Sequence, residues 1–217
     1  MPKKNISGNA YGLTLLCPII NGSKGDQSFA EILRDYLETL PIESQSPMAK
    51  VPNTYFARFY ILNDVFYEGF PIDEEHLKSK YLVFSSNFHG DRDTYVRGMW
   101  EADEADVKAI WQYCVAFDEV HTAEDFVEYV KKCQVDNNLF FNGSTDDSLA
   151  EQLKALYLKQ EFTRFAYENQ GLNAEELEKS FEKFVQRTQP SNLDGPSWSP
   201  GVPNEKLRPM TVISPSH

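Results

Sequence analysis

The chain has 217 residues, 41% hydrophobic and 13% aromatic, which is enough for one cored domain with an elaborated edge. Its net charge of −12 and pI near 4.8 argue against nucleic-acid binding, which needs a concentrated positive field, and disfavour docking on anionic lipid. No window approaches the ~20 consecutive apolar residues of a membrane span.

The N-terminus carries two lysines ahead of an apolar stretch, but Asn5, Ser7, Asn9 and Thr14 interrupt it and Pro18 lies inside it, unlike a signal peptide. Gly12–Ile19 alternates in the manner of a strand that is at least half buried. The stretch NGSKGDQ is a turn by composition. Ser28 with Glu31 forms a capping-box signal, and Phe29, Ile32, Leu33, Tyr36, Leu37 and Leu40 then fall on one helical face until Pro41. Pro41–Pro52 is a polar connector with three prolines.

Thr54–Asn63 reads as a second strand, apolar on both faces except for Arg58, so both faces are expected to be covered. Glu68–Lys80 is a solvent-facing connection. A third strand runs Tyr81–Phe88; Gly90 breaks it, and Asp91 or Asp93 caps a helix through Trp100. Two helical stripes follow. Val107, Ile110, Trp111 and Cys114 mark one over Glu104–Phe117; Phe126, Tyr129, Val130 and Cys133 mark the other over Ala123–Gln134, opened by Thr122 and Asp125. Leu139–Asn142, bounded by Asn-Asn and Asn-Gly, is predicted as a fourth strand. Ser148 caps a long helix to about Glu168, and one more helix starts near Asn173.

Residues 1–188 therefore read as a single α+β domain with its core in 12–167. Residues 189–217 hold six of the twelve prolines and read as an extended or disordered tail. The element order βαββαβ gives the ferredoxin-like plan, an antiparallel sheet with helices on one face, here with extra C-terminal helices. Two apolar sheet faces predict either pairing with a second copy, as a homodimer, or burial by those helices. Cys17, Cys114 and Cys133 sit in apolar patterns without paired spacing and read as reduced thiols, which points to the cytoplasm.

The segments SPMAKVPNTYFARFYILND, KYLVFSSNFHGD, IWQYCVAF and LFFNGSTDDSLAEQLKALYLKQEFTRF resemble an uncharacterised bacterial family. Its pattern has an SPFARVPGTHFARW-like strand, a DFDG-like strand end and an IW-x-x-C helix. The resemblance spans roughly Gly12–Tyr167 and implies a dimeric α/β-barrel type of domain. Its superfamily includes haem peroxidases, small monooxygenases and plain binding modules, so fold alone does not choose a function. Ala57, Arg58 and Cys114 match the pattern; Tyr55 stands where it has a histidine, and His89 where it has an aspartate.

The candidate ligand-binding residues are Arg58, His89, Asp91 and Arg92. An arginine in an apolar strand needs a carboxylate partner, a route to solvent, or a bound anion such as a substrate carboxylate or a haem propionate. His89 beside two aspartates suits acid–base chemistry, whereas Asp91 or Asp93 at a helix start suits capping. Haem would take an axial ligand from His89 or His121. The four histidines lack zinc spacing, so no metal is expected. Two functions are consistent with these residues. One is a small-molecule, anionic-ligand binding protein, extending to a haem-linked oxidoreductase; the other is a non-catalytic interaction or assembly module.

Overall fold

A computed structural model describes residues 5–70, 73, 75–143 and 147–188. The Pro-rich tail lies outside the described residues. Six strands, β1 (Ile6–Ser7), β2 (Ala10–Pro18), β3 (Ser23–Lys24), β4 (Gln27–Ser28), β5 (Thr54–Leu62) and β6 (Tyr81–His89), are joined by six α-helices. These are α1 (Phe29–Thr39), α2 (Arg92–Ala102), α3 (Glu104–Trp111), α4 (Ala123–Cys133), α5 (Leu149–Glu168) and α6 (Ala174–Thr188). The chain forms two compact units, residues 1–147 and 148–217.

The first unit is built on an antiparallel four-stranded sheet in the order β1-β2-β6-β5. β6 is central, paired with β2 on one edge and β5 on the other: Leu82, Phe84 and Phe88 are fully buried on one face with Ser86, whose hydroxyl donates to Phe56 O, and Val83 is buried on the other face. The register sets Leu15, Phe84 and Phe59 side by side under the helices. Phe59 and Phe84 stack at 4.6 Å between ring centroids, and Trp111 of α3 meets both edge-on at 5.6 and 5.8 Å. Such contacts add roughly 0.5–1.5 kcal/mol per aromatic pair beyond area burial.

The helix starts are local chemistry. Ser28 and Glu31 form the capping box of α1, and Thr122 and Asp125 form that of α4. Asp91 caps α2 by accepting from Thr94 N–H at 2.9 Å, and Asp103 caps α3. Gly90 joins β6 to α2 at φ 100°, a left-handed conformation that glycine adopts without steric cost.

Three expectations are corrected. Leu139–Asn142 is not a strand: Leu139 and Phe141 are exposed, while Phe140 lies against Gly12. The backbone groups at the β2 edge are taken earlier, where Val135 N–H donates to Thr14 O at 2.9 Å. The helix expected over Glu104–Phe117 stops at Trp111, because the next residues turn to the sheet edge: Ile20 N–H donates to Tyr113 O and Val115 N–H to Pro18 O. Finally, the outer face of β5 is not covered. Phe56 and Tyr60 are each 47% exposed, and Arg58 between them is exposed. The element order accordingly differs from a plain βαββαβ: β1 and the β3–β4 hairpin are additional, and no strand follows β6 among the described residues.

In the second unit α5 and α6 pack through Phe162, Phe165, Phe181 and Phe184, with centroid distances of 5.0 to 6.1 Å. Among the described residues no helix is long and apolar enough to cross a membrane.

Candidate functional site

The four sequence-derived candidates separate into three places. Asp91 and His89 line one cleft of ≈ 270 Å³ with Asn53, Thr94, Tyr95 and Arg97. Asp91 is held there as a cap, and the Thr94 N–H holds its carboxyl below the usual carboxylate range. Arg92 faces elsewhere: its Nε donates to Asp93 at 2.9 Å and its guanidinium to Gln134 Oε1 at 2.8 Å. Gln134 in turn donates to Tyr11 Oη at 2.9 Å, so Arg92 ties the start of α2 to the end of α4 and to β2.

His89 ends β6, and its Nδ1 lies 3.1 Å from Tyr55 Oη. Tyr55 donates its one proton to the Asp147 carbonyl at 2.8 Å. The imidazole Nδ1 must then be the donor to Tyr55, which makes Nε2 the acceptor nitrogen; the tautomer is assigned from this network. Asn53, at φ 63°, turns its carbonyl to accept the His89 N–H at 3.1 Å. Beneath the cleft the Tyr95 hydroxyl meets Ser86 Oγ at 2.8 Å and Thr54 Oγ1 at 3.1 Å, and burial pushes its phenol above the ordinary value.

The cleft is mixed in sign, with Asp91 and Glu101 beside Arg97, and Arg97 is engaged by Glu124 at 2.9 Å. An anion entering here meets no uncompensated cation. At ≈ 270 Å³ the cleft is small beside the ~300–1,000 Å³ of pockets that enclose drug-sized ligands, and His121 is exposed on the turn before α4. Among the described residues no group of three His, Cys, Asp or Glu side chains is placed to hold a metal ion.

Arg58 lies apart from His89 along a different groove. This groove, ≈ 320 Å³, follows the outer edge of β5, walled by Leu37 and Leu40 of α1 and by the Pro41–Met48 connector. Its floor is Ala57, Phe59 and Ile110. Among the described residues β5 pairs only with β6, so alternate backbone groups of a nine-residue strand face outward beside this groove. Arg58 Cζ sits 5.6 Å from the Phe56 ring centroid. Among the described residues nothing accepts from or pairs with this guanidinium; of the three options open to it, Arg58 takes the route to solvent, because the outer face of β5 is uncovered.

Sequence reasoning did not reach the groove, because its walls come from a helix end and a connector that become neighbours of β5 only in the fold. It also gave no weight to the aromatics of Val65–Phe70, which Asn63 and Asp64 separate from the end of β5. There Phe66 is 89% and Phe70 95% exposed, and three aromatics within a six-residue connector were the available signal. A comparison with known protein families, curated proteins and solved structures finds no match to this chain.

Proposed function

We propose that the chain is a non-catalytic protein-interaction module whose docking element is the free edge of β5. The observation that carries this reading is the combination of an unpaired nine-residue edge with an apolar groove running beside it. Long apolar edges are hazards that proteins cover or blunt with charges and prolines. Here the edge carries one charge and no proline, and it continues into a connector of exposed aromatics. An extended segment added to such an edge gains main-chain hydrogen bonds, while the groove sorts its side chains.

We also read β2, β6 and β5 as a ferredoxin-like core, since their spatial order is first, third and second in the chain, as in that plan. The bridge from Leu15 to Gln134 supports this, because it lies on the β2 edge where a fourth strand of the plan would pair.

A photo-crosslinking side chain substituted at Ile42 or Phe56, both exposed beside the groove, tests the interaction reading in cells. A discrete adduct with another chain is expected at both positions and not at Lys108 on α3. Equal labelling at all three positions, or none at any, overturns it.

A further inference from the structure

We infer that the segment taken up along β5 is an extended stretch of another protein with a single carboxylate side chain opposite Arg58 and apolar residues immediately on either side of it. This rests on the reading of β5 as a docking edge. Among the described residues, Arg34, Arg92, Arg97, Arg164 and Arg187 each donate to or pair with a side-chain oxygen. Arg58 has only the Phe56 ring. In a chain with 33 acidic residues against 21 basic ones, an arginine left without a carboxylate on an exposed edge strand is available to one from outside. Among the described residues no acidic side chain lines the groove to compete for it.

The pleat converts that charge into a pattern. Side chains alternate across a strand, so the residue opposite Arg58 faces outward with it, between Phe56 and Tyr60. Its immediate neighbours face the other way, into the groove against Leu37, Leu40 and Met48. The pattern is therefore apolar, acidic, apolar. The net charge of −12 repels a run of acidic residues, which limits the match to one carboxylate.

The same geometry weighs against a second copy of this chain as the occupant. A two-fold antiparallel pairing of β5 with itself over Thr54–Leu62 is centred on Arg58 and sets the two guanidinium groups directly opposite each other. Like charges in that position destabilise a strand pair.

The test uses the full chain and a synthetic nonapeptide alternating threonine and valine with glutamate at its centre, compared with the same peptide carrying lysine there. The glutamate peptide is expected to bind about fivefold more tightly than the lysine peptide, with the preference reversed for Arg58→Glu. An unchanged ranking in Arg58→Glu overturns the carboxylate assignment while leaving the docking edge standing. N-methylation of the peptide's alternate amides reports on the edge itself, since removing its donors must abolish strand addition. Binding indifferent to N-methylation, or no binding of either peptide, overturns the edge reading and the assignment with it.

Discussion

Arg187 of α6 reaches Glu161 of α5 at 3.2 Å, and the carboxylate it meets is only 1% exposed. Arg164, one turn along α5, approaches the other oxygen at 3.4 Å. A carboxylate withdrawn from water in this way depends on its cations, because leaving one uncompensated costs more than a neutral group. Arg187→Ala is therefore expected to lower the stability of the α5–α6 pair by about 1–3 kcal/mol. Glu161→Gln, which removes the charge and keeps the shape, is expected to cost less. Urea denaturation of both variants checks the order, and equal costs would contradict the charge argument.

Asp64 closes the connection that follows β5. Its carboxylate accepts from Leu77 N–H at 2.8 Å and Val65 N–H at 2.9 Å, and it lies 2.7 Å from His76 Nδ1. The Leu77 N–H leads in lowering its pKa from 3.8 to about 2. A depressed carboxyl contributes order above its unfolded pKa and loses it as pH falls through the folded one. The connection is thus expected to stay closed above about pH 4 and to open toward pH 2. The amide shifts of Val65 and Leu77 should titrate in that window. Asp64→Asn is expected to raise tryptic cleavage after Lys78 at neutral pH with little change in global stability.

Gly12 has no room for a side chain. A Cβ there would stand 2.7 Å from the Phe140 ring, well inside contact distance. Gly12→Ala should displace Phe140 and loosen Leu139–Asn142, at a cost of about 1–3 kcal/mol. Thermal denaturation measures the loss, and restoration by Phe140→Ala in the same chain would assign it to that contact.

Three thiols meet in the first unit: Cys17 of β2, Cys114 in the turn after α3 and Cys133 at the end of α4. A hydrogen bond with Cys114 leads in pushing the Cys17 thiol up to about 12, and one with Cys17 leads in raising Cys133. Cys17 and Cys114 are fully buried, whereas Cys133 is half-buried and borders a cavity of ≈ 340 Å³. A thiol-reactive dye at pH 8 is expected to label Cys133 slowly and the other two only on unfolding, because the thiolate is the reacting species. Fast native labelling of Cys17 would contradict this packing.

The helix starts were legible in the sequence because each depends on residues three apart. Ser28 with Glu31 and Thr122 with Asp125 form their capping boxes as the spacing predicts, and of Asp91 and Asp93 it is Asp91 that caps α2. Leu139–Asn142 misled because a short apolar run has the same pattern whether it pairs as a strand or lays one ring on a glycine. Tyr55 and His89 could not be joined in advance, since their contact runs across two strands in a register that no local pattern states.

By itself the sequence determined the mixed α+β character, the long strands and the caps, all of which are signalled by patterns among residues close together in the chain. It also placed Arg58 in the middle of an apolar strand. Whether that arginine is enclosed or open depends on which strand takes the sheet edge, and only the tertiary structure decided that. β6 took the centre, with Leu82, Phe84, Ser86 and Phe88 buried under the helices, and among the described residues β5 was left with one side bonded and the other free.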